Sequence, residues 1–152
     1  MKFFSKAKYI DVSKFVKGIN DRSSFNQWLG IEVVEVAVGS VSLKIQWRED
    51  FGQYSGHLHA GIIGTMIDTA CGFSGLTVTT SKFLASNFSV NFLRPAIGDS
   101  FVAKAQVIKP GRLQIFTRCD LYAVSGSEEK LVANGDTILC VLPDSDWNDE
   151  LN

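Results

Sequence analysis

Between Asp50 and Lys82 the only formally charged side chain is Asp68. The text around it, from Gly56 through His57, Leu58, His59, Ala60 and Gly61 to Cys71, Gly72 and Phe73, is apolar and rich in glycine. It reads as a helix that starts near Ala60 and fades around Leu76. Such a helix has to be buried, which limits the chain to folds that can surround it. Desolvating an unpaired carboxylate costs on the order of several kcal/mol. Asp68 is therefore either an acid with structural partners or a group that does chemistry.

At about 100° per residue, Gly61, Gly64, Thr65, Asp68, Gly72 and Gly75 fall on one side of this helix, and Ile62, Met66, Ala70 and Phe73 on the other. Each interior glycine costs about 1 kcal/mol relative to alanine, so something must approach the glycine side closely enough to offset the loss. A strand of the same chain, the matching helix of a second copy and an extended ligand all meet that requirement.

The rest of the chain reads mostly as strands. Val12, Phe15, Val16 and Ile19, then Phe25, Trp28 and Leu29, have helical spacing interrupted between Gly18 and Ser24, with Gly30 as a stop. From Ile31 to Val38 and from Val41 to Trp47 the pattern alternates, with Gly39-Ser40 as a hairpin signal. A polar loop, residues 48–56, leads into the helix. Four more strand-like runs follow at 83–93, 100–108, 113–123 and 130–142, separated by glycine and proline turns. This order predicts an α+β fold in which one antiparallel sheet wraps around one long central helix, with short helices at the N-terminus.

A chain of 152 residues has the size of one compact domain. We expect a single domain over 1–152, with a helical segment at 1–29 and an acidic tail at 143–152. The net charge of −1 gives no basic field for nucleic acid. The basic start, with Lys2, Lys6, Lys8, Lys14, Lys17 and Arg22, and the acidic tail, with Asp144, Asp146, Asp149 and Glu150, read as solvated ends. Cys71, Cys119 and Cys140 have neither disulfide-framework nor metal-ligand spacing and read as reduced core residues of a cytoplasmic protein. No run is long enough for a membrane span. His57 and His59 have no third partner for a metal, so neither a metal nor another cofactor is expected.

His59-Ala60-Gly61, followed by Asp68 nine residues after the histidine, resembles the signature of the hotdog-fold acyl-CoA thioesterases of the phenylacetate-pathway (PaaI-like) branch. The resemblance continues through Asn91-Phe92-Leu93-Arg94-Pro95-Ala96, Gly98-Asp99 and Lys109-Pro110-Gly111-Arg112, and so covers most of the chain from Gly30 to Leu142. The family's His-Gly-Gly loop has Ala60 as its middle residue here, and its common Asn is Gln53. Both changes keep their chemistry, because a backbone amide survives Gly to Ala and Gln is still an amide. The family's Ser or Thr on the next strand falls on Ala85 or Ser86, according to whether the register is counted from Pro95 or from Asp68.

Thioester hydrolysis needs a base or nucleophile, donors for the developing oxyanion and a slot for the acyl chain. Free N–H groups at the helix N-terminus, around Ala60 and Gly61, suit the donor role. Asp68 can activate a water or attack the carbonyl directly. The resemblance implies a homodimer or dimer of dimers in which Asp68 of one chain meets the His59 loop of the other, with Gln53 positioning the carbonyl or the water. His59 then orders the loop or bonds the thioester, while His57 reads as an ordinary loop residue. Ser86 is the candidate on the strand, and Arg94, Lys109 and Arg112 are exposed cations for the phosphates of CoA. The expected activity is hydrolysis of medium- or long-chain or aryl acyl-CoA. Its competitors are a non-catalytic acyl-CoA sensor of the same fold and a hotdog dehydratase or hydratase, whose loop His59-Ala60-Gly61 does not resemble.

Overall fold

The computed structural model describes residues 11–143 and 146–147. Lys2, Lys6 and Lys8 at the start, and Asp144, Asp149 and Glu150 of the acidic tail, lie outside the described residues. Helices α1 (Val12–Arg22) and α2 (Ser24–Leu29) open the chain, followed by strands β1 (Glu32–Ala37) and β2 (Ser40–Gln46). The long helix α3 (Ala60–Leu76) comes next, then β3 (Phe83–Phe92), β4 (Ser100–Pro110), β5 (Gln114–Ser125) and β6 (Glu128–Val141). The six strands form one antiparallel sheet in the order β1-β2-β4-β5-β6-β3. This is the α+β hotdog arrangement expected from the sequence.

The sheet curls around α3, which packs against β2, β4, β5 and β6. Strict alternation in β2, β4 and β5 sends Leu43, Ile45, Phe101, Ala103, Ile115 and Leu121 inward, onto Met66, Ile67, Ala70 and Cys71. The same alternation corrects the reading of Cys140. Leu139 points into the core, so Cys140 is exposed on the outer face, while Cys71 and Cys119 are buried as expected. A hydrogen bond that the Cys119 thiol donates to Cys71, together with burial, pushes the Cys119 thiol far up and keeps it protonated.

The starts of the two N-terminal helices are set by side-chain caps. The Asp11 carboxylate accepts from the N–H groups of Ser13 and Lys14, and the Ser23 hydroxyl accepts from that of Asn26. Gly18 lies inside α1, so the break expected from Gly18 onward falls at Ser23. Gly30, with φ of +68°, ends α2 as predicted. Buried Asn20 donates to the Ile31 carbonyl at 3.0 Å and accepts from Asn26 at 3.2 Å, which ties both helices to the start of β1.

Two features of the sheet bear on the site. Strand β3 is an edge strand whose residues 84–89 are exposed on both faces, among them Phe88. It also carries a bulge between Ala85 and Asn87 that leaves Ser86 outside the ladder.

Candidate functional site

The N-terminus of α3 is held by a small hairpin-like loop. Gly52 bridges Leu58, the Gln53 N–H donates to the His57 carbonyl at 2.8 Å, and Gly56 supplies the turn with φ of +77°. The N–H of Leu58 donates to Ala96 and that of His59 to Phe51, so the helix start is fixed from both sides. Arg48 braces the base of this loop. It lies 4.0 Å from the centre of the Phe51 ring, donates to the Trp28 carbonyl and forms a forked pair with Asp50, which holds the Asp50 carboxyl below its usual range.

His59 is the N-cap of α3, and its Nδ1 accepts from the Gly61 N–H at 2.9 Å. The ring's proton in its neutral form is therefore on Nε2, free to donate outward. This separates the two amides proposed as oxyanion donors. Gly61 N–H is occupied, whereas no hydrogen bond among the described residues engages Ala60 N–H. Gln53 Nε2 lies 3.3 Å from His57 Nδ1, which also meets the Ser55 hydroxyl at 3.0 Å. His57, read as an ordinary loop residue, thus orients the Gln53 amide.

A cleft of about 800 Å³ opens in front of this loop and is lined by Gln53, Tyr54, His59, Ala60, Phe92 and Arg94. Tyr54 was missed from sequence, because a lone tyrosine in a polar loop carries no periodicity. Its side chain is fully exposed and packs on nothing in its own chain. Arg94 donates to the Leu131 carbonyl at 2.8 Å at the rim. Arg112 lies at the opposite end of the sheet, in the turn before Gln114, which pairs with Cys140. The strand rise between Leu131 and Val141 separates the two arginines by about 30 Å, so they do not serve one ligand within one chain. Ser86 lines neither cleft nor groove, and its hydroxyl donates to the Ile138 carbonyl at 3.1 Å.

Asp68 stands in a second depression of about 350 Å³, between α3 and the inner face of β3. It is half-buried, and desolvation raises its pKa above the usual carboxylate range. No hydrogen bond or ion pair reaches it from the described residues, so the structural-acid alternative finds no support in this chain. The Asp68 groove and the loop cleft meet at Ala60 and Phe92. Ala60 and Asp68 nevertheless start about 12 Å apart along the helix axis, too far for both to act on one carbonyl. Within one chain Asp68 and the Ala60 amide are not brought together.

The glycines of α3 have separate reasons. Gly75 is buried, and a Cβ there would collide with Leu139 and crowd Phe83. It serves packing inside the core, which corrects its assignment to the open face with Asp68. The cause is that α3 sinks into the core at its C-terminal end, where 73–77 are buried on every side. Gly64 meets the Phe88 ring at van der Waals distance, while nothing lies within 4 Å of a Cβ on Gly72. Gly72, one turn beyond Asp68, has no reason within its own chain to be glycine.

Among the described residues no helix is long and apolar enough to cross a membrane. The model of the Thioesterase superfamily matches residues 55–130, which contain the helix, Asp68 and the turns that follow. Human acyl-coenzyme A thioesterase 13 is similar at 28% identity over 123 residues, 79% of this chain and 86% of that protein. Of solved structures, a thioesterase family protein from Silicibacter pomeroyi superposes with a TM-score of 0.83 at 32% identity, covering 86% of this chain and 98% of that one. The Escherichia coli PaaI protein of the phenylacetic acid degradation operon shares the fold, with a TM-score of 0.79 at 18% identity over 88% of this chain and 95% of its own. The match spans His59, the helix and the carboxylate described above, and the chain belongs to the thioesterase superfamily.

Proposed function

We propose that this protein is a homo-oligomeric acyl-CoA thioesterase whose catalytic carboxylate is Asp68. The single observation that carries the reading is a half-buried acid with no partner in its own chain and a raised pKa, standing in an apolar groove. The thioester oxygen accepts from the free Ala60 N–H at the positive end of α3. Asp68 of the other copy removes a proton from a water as that water attacks the carbonyl carbon. The tetrahedral oxyanion then collapses, the C–S bond breaks, and the CoA thiolate takes up a proton to leave as the thiol beside the free acid. Gln53, oriented by His57, holds the water or the carbonyl, and His59 Nε2–H is a further donor at the mouth.

Two copies are needed because the two halves of the site are too far apart in one. An exposed edge strand beside the open Gly72 face offers the surface for a second copy. In such a two-fold pair, Arg94 of one copy and Lys109 and Arg112 of the other are free to share the phosphates of one CoA.

Release of free thiol from short, medium, long and phenylacetyl acyl-CoAs tests the activity. Turnover on the medium, long or aryl members is expected, while saturable binding without turnover overturns the enzyme reading in favour of a sensor. Gly72→Leu tests the assembly. Leucine gains about 0.8 kcal/mol of helix propensity over glycine, and its Cβ would meet nothing within 4 Å in the isolated chain. The variant should stay folded, elute as a monomer and lose its turnover; an unchanged elution volume with full activity removes this face from the interface.

A further inference from the structure

The groove beside Asp68 has a construction of its own. On one side lies the bare backbone of Gly61 and Gly64, and on the other the inward side chains of Phe88, Val90 and Phe92. Its only polar side chains are Asp68 and Thr65, and the Thr65 hydroxyl is spent on the Gly61 carbonyl at 2.9 Å. Phe88 rests on Gly64, where a Cβ would stand 3.6 Å from the ring's Cε2. That is ordinary contact, so the ring sits on the helix with no space beneath it for a longer side chain. Half of Phe88 and more than half of Phe92 remain exposed, at 50% and 57%. The chain thus builds an aromatic wall next to its unpaired acid and does not use it in its own core.

We propose that Phe88, seated on Gly64, sets the width of the acyl groove, so that it accepts an uncharged acyl group that is linear or planar and rejects branched or anionic ones. The inference rests on the acyl-CoA reading above and narrows its substrate class. A branch on the acyl chain has to displace the ring, and the helix backbone on the far side cannot yield. A second carboxylate has to leave water for a wall of phenyl rings beside Asp68, where like charge opposes it. Pairing through the edge of β3 engages its backbone and leaves the inward-facing rings over the groove.

The test compares octanoyl-, phenylacetyl-, 2-ethylhexanoyl- and succinyl-CoA as substrates of the native protein, Phe88→Ala and Gly64→Leu. Binding of the matching non-hydrolysable thioethers is measured by calorimetry alongside. The native protein should favour the first two by about tenfold or more in kcat/KM, within the range that pocket shape supplies. Phe88→Ala should bring the branched substrate to within about threefold of octanoyl, mainly through KM, whereas Gly64→Leu should push the ring outward and raise KM for all. Equal ratios in native protein and Phe88→Ala, or a native preference for the branched or anionic acyl group, overturn the proposal while leaving hydrolysis intact. If no thioester turns over, hydrolysis falls and the thioethers decide the groove alone: the same order relaxed in Phe88→Ala sustains it, and indifferent binding overturns it. Phe88 is on an exposed strand, so its variant carries the decision even if Gly64→Leu fails to fold.

Discussion

Replacing Asp68 by asparagine is expected to lower kcat by about 10²- to 10⁴-fold with little change in KM, the range that loss of a general base produces. The same change should raise the melting temperature at neutral pH. Burial raises the Asp68 pKa in the folded chain, so the native state binds the proton more tightly than the unfolded state does. The stability this group allows is fully present below its unfolded pKa and is lost as pH rises through its folded pKa. The asparagine variant should thus exceed the native protein in stability above that window, and the difference should vanish in acid. Activity runs the other way, because the base must be ionised, and the acid limb of the kcat/KM profile should lie above the ordinary carboxylate range. A variant that loses stability at pH 7 while keeping its turnover would make Asp68 a structural acid after all.

Ala60→Pro is expected to cost about 10²- to 10³-fold in kcat, the usual effect of deleting one oxyanion donor. Ala60 is the first residue of α3, the position where a helix accepts proline because its N–H has no helical partner. His59 before it is extended, with φ −63° and ψ 138°, as a residue preceding proline should be. Fold stability should therefore change by no more than about 1 kcal/mol. This variant and Asp68→Asn, each inactive alone, should complement when mixed. In a pair assembled from one of each, one site carries both defects and the other neither, so random exchange returns about a quarter of native activity. Mixtures that stay inactive after proven exchange would place Asp68 and Ala60 in separate sites.

The central helix was legible to the residue, Ala60 to Leu76, because its neutral, glycine-rich text has sharp flanks. The strands were legible to within a few residues, since their turns carry Gly39, Pro95 and Gly126, and β2, β4 and β5 keep strict alternation. Strand β3 was legible as a strand and not as an edge, because residues 84–89 are exposed on both faces and their period carries no burial signal. Within the candidate site, Asp68 stood out by its isolation among neutral residues, and His59 and Ala60 through the family resemblance that their spacing to Asp68 carries. The division of labour between the Ala60 and Gly61 amides did not, as it depends on which way the His59 ring turns. Phe88 and Tyr54 were invisible for a related reason, since a phenylalanine in a strand and a tyrosine in a loop look alike whether they pack inward or wait for a ligand.

The order of strands has a consequence for how such a chain is made. β6, the last of the six described strands in chain order, is interior, with β5 on one side and β3 on the other. Until it emerges, β3 has no neighbour and the inner side of α3 lacks Val132, Ala133 and Leu139. Vectorial synthesis therefore cannot complete this sheet piece by piece: β6 folds back on β5 as a hairpin, but its pairing with β3, of long sequence separation, must wait until β6 is made. Through that interval the nascent chain depends on being held soluble, and a stop codon within β6 should yield aggregated rather than partly active protein.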